Sequence, residues 1–96
     1  MRVIYIHDSG RRSIGKPVDV KTVNAVIIHD KNIIVLLLKY SKAIYVIHGR
    51  HGVTVMLELS PDVWHMALTE PEKAYRTVLQ ETTRIDNNCE KYDTEP

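Results

Sequence analysis

Two histidines and an arginine lie close together in the turn of the stretch "VIHGRHGVTVMLELSPDVW", residues 46–64. His48 and His51 flank this turn and are the right residue type to bind one metal ion. A zinc site needs four ligands, so side chains such as His65 or Asp62 would have to join them. We therefore predict no metal site. The two histidines are then either ordinary loop residues or donors to a phosphate.

Nucleophilic catalysis has no better support in the sequence. The serines at positions 9, 13, 41 and 60 lack the context of a nucleophile elbow. The segment "SGRRSIGK" contains glycine, serine and lysine, but it lacks the spacing of a phosphate-binding loop and no clear helix follows it. The single cysteine, Cys89, has no partner in the chain, which favours a reducing intracellular setting. We predict that the chain is not an enzyme and needs no cofactor.

A third chemistry, the binding of anions, fits the residue types better. Basic side chains neutralise phosphates, and aromatic side chains among them stack on unpaired bases. The alternative is structural, because lysines at strand ends block edge-to-edge aggregation and tyrosine is common in sheets. The candidates for nucleic-acid binding are Arg11, Arg12, Lys16, Lys39, Tyr40, Lys42, Tyr45, His48, Arg50 and His51.

The net charge of +1 conceals an uneven distribution along the chain. Residues 1–50 contain nine Lys/Arg and three Asp, whereas residues 51–96 contain four Lys/Arg and nine Asp/Glu. A basic first half followed by an acidic second half is typical of a nucleic-acid-binding face with a solvating tail. Small domains with other functions also carry uneven charge, so both interpretations stay open.

The elements that would position these residues follow from periodicity and turn signals. Strands are predicted at 2–8, 19–30, 32–40, 43–48 and 53–59, and an exposed loop at 9–17. Ser60 and Pro61 predict a helix start, giving helices at 61–68 and 72–85. The expected fold is α+β: an antiparallel β-meander sheet of four to five strands followed by a C-terminal helical segment. We predict one domain over 1–86 and a polar, disordered tail over 87–96.

The segment Ile33–Leu38 is apolar at every position, so both faces of that strand must be covered. The helical segment covers one face. The other needs the N-terminal strand or a second copy of the chain, and a two-fold dimer is the simplest arrangement. The same run is too short to cross a bilayer, and the N-terminus is polar by Asp8. We therefore predict a homodimer without a membrane partner.

The segment "GRHGVTVMLELSPDVWHMAL" resembles the single-strand-binding domain of positive cofactor four, a whirly-type transcriptional coactivator. The family pattern is Gly-Arg-x-Gly, an apolar strand, then proline and an acidic residue before a helical tryptophan. The upstream hairpin over 22–40 is similar as well and ends in a charged aromatic pair. The matching positions are Gly49, Arg50, Gly52, Pro61, Asp62, Trp64, Lys39 and Tyr40.

This resemblance implies a curved four-stranded antiparallel sheet followed by a helix, dimerisation, and single-stranded DNA held against basic and aromatic sheet residues. Taken with the charge distribution, it predicts a small, dimeric, non-catalytic nucleic-acid-binding protein that regulates transcription and prefers single strands. The alternative is a protein–protein interaction module, such as a virus- or plasmid-type regulator, that uses its apolar sheet face.

Overall fold

The computed structural model describes residues 1–49 and 52–93, with side chains throughout except at 53 and 84–93. Strands and helices make up most of these ranges. The strands are β1 (Arg2–His7), β2 (Arg12–Ile14), β3 (Val23–Asp30), β4 (Ile33–Leu38), β5 (Ala43–His48) and β6 (Val53–Glu58). The helices are α1 (Pro61–Thr69) and α2 (Pro71–Asp93), and a 3₁₀ turn at Val20–Thr22 precedes β3.

The strands form one antiparallel sheet in the order β2-β1-β3-β4-β5-β6. From β3 to β6 each strand pairs with the next one in sequence, which is the predicted meander. The predicted α+β fold, a sheet followed by a C-terminal helical segment, is confirmed. The sheet has six strands rather than four to five.

The additional strand is β2, which lies inside the segment predicted as an exposed loop. Gly10, with a φ of +84°, allows the tight turn after β1. Ser13 then pairs with Tyr5, and Arg12 pairs with Ile6. Three residues of mixed polarity give no alternation to detect, so the sequence predicted a loop.

α1 begins where the sequence predicted, α2 begins one residue earlier, and both helices end later than predicted. The side chain of Ser60 caps α1 by accepting a hydrogen bond of 3.2 Å from the backbone N–H of Val63. Only Glu70 separates the helices. α2 continues to Asp93, beyond the predicted end at 85, because each added residue gains a backbone hydrogen bond. Residues 94–96 lie outside the described residues, and the division into domain and tail stays a prediction.

Both helices pack against the same face of the sheet. Alternation along the strands turns Val26, Val35 and Val46 to this face, and each is fully buried. Ala67 of α1 and Val78 of α2 belong to the same core cluster. The hydrophobic core therefore lies between the helices and one sheet face, which we call the helix face.

Candidate functional site

The other face of the sheet is apolar and carries no helix among the described residues. We call it the open face. Alternation along β4 gives both faces large aliphatic side chains, and the paired strands add more of them to the open face. Its large apolar residues are Ile4, Ile6, Ile14, Ile27, Ile34, Leu36, Leu38, Tyr45, Ile47 and Met56.

Burial distinguishes the open face from the helix face. Neighbouring side chains leave most residues of the open face half-buried, whereas Ile14 and Met56 at its two edges are 64% and 66% exposed. None of its large apolar side chains belongs to the core cluster or packs against it. The sequence predicted that β4 needs cover on both faces. In the described part of the chain, only one face has it.

The open face is organised in three rows that run across the strands. The central row is Ile14, Ile4, Ile27, Leu36, Tyr45 and Met56. One flanking row is Arg12, Ile6, Ala25, Leu38, Ala43 and Glu58, and the other is Arg2, His29, Ile34, Ile47 and Thr54. The centre is therefore entirely apolar or aromatic, and the charged side chains lie at the ends of the flanking rows.

Several candidate nucleic-acid-binding residues share one end of the sheet, which we call the basic end. It carries the turn between β1 and β2 and the turn between β4 and β5. Arg11, Arg12, Lys39, Tyr40 and Lys42 lie there. Lys21, which was not among the predicted binding residues, lies in the 3₁₀ turn at the same end.

Tyr40 is the most accessible aromatic group of the basic end. It is 74% exposed, and the Nζ of Lys39 lies 5.7 Å from the centre of its ring, within the range of a cation–π contact. Lys39 and Lys42 also line a cavity of about 310 Å³ together with Trp64 and the first residues of α1. Carboxylates lower the positive potential of this end: Asp8, Asp19, Glu58 and Asp62.

The remaining candidates lie elsewhere. Tyr45 is in the central row of the open face, and Lys16 follows β2 toward the opposite end of the sheet. His48 pairs with Ile33 on the helix face at that opposite end, and its buried Nε2 has no hydrogen-bond partner among the described residues. Arg50 and His51 lie outside the described residues. The eight described candidates are therefore divided between both ends and both faces of the sheet.

No sequence pattern predicted the buried polar cluster that surrounds His7. Its Nδ1 lies 2.8 Å from Thr22 Oγ1, and its Nε2 lies 2.7 Å from Ser13 Oγ. His7 and Ser13 are both buried. The cluster joins β1 to β2 and to the 3₁₀ turn, so it explains why the predicted loop contains a strand. Ser13 stands among basic residues in the sequence, which gave no signal of this role.

The hydrogen bonds identify the donors in this cluster. The hydroxyl of Thr22 donates its proton to the carbonyl oxygen of Asp19 at 3.0 Å, so toward His7 it can only accept. In the neutral form of the imidazole, Nδ1 of His7 therefore carries the proton. Nε2 then accepts from the hydroxyl of Ser13. A serine that donates to a histidine is an arrangement that enzymes use for acyl transfer, but here the serine is buried in a strand and links structural elements.

The residues that the structure describes contain neither a metal site nor a membrane-spanning helix. No three His, Cys, Asp or Glu side chains of those residues come together as a metal site. Neither helix, over its described residues, combines the length and apolar character needed to span a bilayer. His51, half of the histidine pair considered above, is not among them.

Comparisons with protein-family models, with curated proteins and with solved structures found no match to this chain. The resemblance to positive cofactor four therefore stays a prediction.

Proposed function

We propose that this chain is a non-catalytic protein-interaction module whose binding surface is the open face. One observation carries the proposal: an apolar face extends across all six strands and is covered by no described part of the chain. The largest apolar patch on a typical monomer is about 300–600 Å² and is often functional. Burying such a face is favourable by roughly 25 cal/mol per Å². An uncovered sheet face of this composition therefore favours association with another protein surface.

The open face suits a protein better than a polynucleotide. Tyr45 is its only aromatic residue among those described, and its positive charges are confined to the flanking rows. Single-stranded nucleic acid is bound by cations that follow the backbone and by several stacking platforms. The central row offers no cations, and the hydroxyl of Tyr45 is the only side-chain hydrogen-bond donor among its residues. The open face is therefore suited to apolar contact with another protein surface.

The test measures how the face binds an apolar dye when the chain is diluted enough to be monomeric. We expect anilinonaphthalene sulfonate to fluoresce with the folded wild type, and the enhancement to fall at least about twofold in Met56→Glu and Ile14→Glu. Val18→Glu is the matched control, because Val18 is 63% exposed but lies outside the sheet. If the folded monomers of Met56→Glu and Ile14→Glu enhance the dye fluorescence as much as the wild type does, the proposal is contradicted.

A second candidate function, supported by a different observation, is nucleic-acid binding at the basic end. Lys39 and Lys42 reach solvent there in the same turn as the exposed ring of Tyr40, and Arg11 lies in the turn between β1 and β2. Cations next to an accessible ring are the elements of a single-strand contact. This candidate is the predicted regulatory nucleic-acid-binding role, carried by the residues of the basic end. The intracellular location inferred from Cys89 remains a prediction.

Fluorescence anisotropy with labelled single-stranded DNA at low salt tests this second candidate. We expect Lys42→Glu and Lys39→Glu to weaken binding by about five- to tenfold each, and added salt to weaken it steeply. Lys31→Glu is the matched control, because Lys31 is an exposed lysine in the turn at the opposite end of the sheet. Equal effects of the three changes, or no binding at low salt, would exclude a specific site at the basic end.

A further inference from the structure

We infer that the partner of the open face is the open face of a second copy of this chain, related by a two-fold axis parallel to the strands. The inference rests on the proposed function and names its partner. Two sheets packed face to face lie about 10 Å apart with strands within about 30° of each other. The order of the strands then determines which residues oppose each other across the interface.

An axis parallel to the strands reverses the strand order and keeps the ends of the two sheets together. β2 then lies opposite the partner's β6, β1 opposite the partner's β5, and β3 opposite the partner's β4. Each contact occurs twice, as a two-fold interface requires. Rows of the open face therefore meet the same rows of the second copy.

Charge complementarity supports this axis. Arg12 and Glu58 are at opposite ends of one flanking row, on the two edge strands. Both side chains are exposed. Reversal of the strand order brings Arg12 opposite the partner's Glu58, and Glu58 opposite the partner's Arg12. The only carboxylate among the described open-face residues thus meets an arginine, twice in each dimer.

Side-chain size is compatible with the same axis. The row that holds these charges contains two alanines, Ala25 and Ala43, between larger residues. Across the axis, Ile6 meets the partner's Ala43 and Leu38 meets the partner's Ala25. Large side chains are therefore opposed to small ones, which lets the two sheets interdigitate. In the central row, the strongly exposed Ile14 meets the partner's Met56, its counterpart at the other edge.

An axis perpendicular to the strands gives a poorer match. It would bring the row of Arg12 and Glu58 onto the row of Arg2 and His29 of the second copy. Glu58 would then face the partner's Thr54, and Ile6 would face the partner's Arg2. The row of Arg2 and His29 contains no carboxylate among its described residues, so Arg12 would lose the oppositely charged partner that Glu58 provides across the parallel axis. The axis parallel to the strands places Arg2 opposite the partner's Ile47, so both axes bring this arginine against an isoleucine. The pairing of Arg12 with the partner's Glu58 is what favours the parallel axis.

The area of the open face is sufficient for a dimer. The three rows span five residues along a strand, at about 3.3 Å per residue, and six strands about 4.8 Å apart give the width. The projected area is therefore roughly 500 Å². Two faces together give about 1,000 Å², the value that a specific interface needs to reach. Because side chains give the surface relief, the accessible area exceeds this projection.

Sedimentation equilibrium on the full chain at micromolar concentration tests the inference. We expect the wild type to have twice the 11.1-kDa mass of the chain. Met56→Glu and Ile14→Glu should weaken the dimer at least about thirtyfold, and Val18→Glu should not. Circular dichroism confirms that each variant is folded.

A charge swap tests the axis itself. Arg12→Glu and Glu58→Arg should each weaken the dimer by about tenfold, because each replaces two attractive contacts with repulsive ones. The double variant should recover to within about threefold of the wild type, because the pairs are restored with reversed polarity. Recovery requires the two residues to meet between copies, since they lie on opposite edges of one sheet.

The outcomes separate the inference from the function on which it rests. A monomeric wild type whose dye binding depends on Met56 overturns the second copy as partner and leaves the interaction module standing. A monomer without such dye binding overturns both. A dimer that tolerates Met56→Glu and Ile14→Glu assembles through another surface, which overturns the inference. A dimer broken by Met56→Glu without charge-swap recovery overturns the axis.

Discussion

The phenolic hydroxyl of Tyr5 donates a hydrogen bond of 3.0 Å to the carbonyl oxygen of Ala67, across 62 residues of sequence. This bond joins β1 to α1, which begins beside β6, four strands away. Both residues are buried. The helical segment is thereby held across the helix face, and the open face is left without a helix.

Replacing Tyr5 with Phe should destabilise the fold by about 1–3 kcal/mol, because the buried carbonyl of Ala67 loses its side-chain hydrogen bond and no water replaces it. Urea unfolding measures the change. Tyr40→Phe is the matched control and should stay within about 0.5 kcal/mol, because Tyr40 is exposed. Equal stabilities for the two variants would show that the hydroxyl of Tyr5 contributes nothing.

The stability should fall above pH 10. Burial raises the pKa of Tyr5 above its ordinary value of 10.0. Burial first, and the negative charge of Asp30 second, raise the pKa of Tyr75 as well. Because the folded state keeps these protons longer than the unfolded state, this stability is complete below pH 10 and is lost as the pH rises through the higher folded pKa. Urea unfolding between pH 8 and pH 11 should show a smaller loss for Tyr5→Phe than for the wild type.

The cluster around His7 should be needed for the edge of the sheet. Ser13→Ala leaves Nε2 of His7 buried without its donor, and Thr22→Val removes the acceptor of Nδ1. Each should cost about 1–3 kcal/mol in urea unfolding. The matched control is Ser41→Ala, whose hydroxyl is exposed, and we expect an effect within about 0.5 kcal/mol.

Hydrogen exchange distinguishes a local role from a general one. Ser13→Ala should speed exchange of the β2 amides that pair with β1 more than exchange of the β4 amides in the middle of the sheet. Uniform acceleration across both strands would mean that the serine stabilises the fold as a whole.

The two-fold axis proposed above predicts a link between dimerisation and nucleic-acid binding. It keeps the basic ends of both copies on the same side of the dimer, so that one strand can contact both. Met56→Glu, which changes no residue of the basic end, should then lower the affinity for a long single strand by about tenfold or more. Binding of an oligonucleotide too short to reach both copies should not change. If both lengths bind Met56→Glu like wild type, the two activities are independent.

Much of the architecture could be predicted from the sequence because it depends on local physics. Alternation places residues on the two sides of a strand, a serine before a proline starts a helix, and short turns make neighbouring strands antiparallel. Because every residue from Ile33 to Leu38 is apolar, the sequence predicted apolar side chains on both faces of β4. These signals predict the strands and helices, their order along the chain, and that both faces of β4 need to be covered.

The candidate site depended on tertiary structure, because two sides of a strand are equivalent until something packs on one of them. Only the docking of α1 and α2 decided which side became the core and which became the open face. Pairing with β1 made a strand of Arg12–Ile14, where polar residues hide the pattern. Register across six strands, which no single segment contains, placed Arg12 and Glu58 in one row and divided the basic residues between the two ends of the sheet.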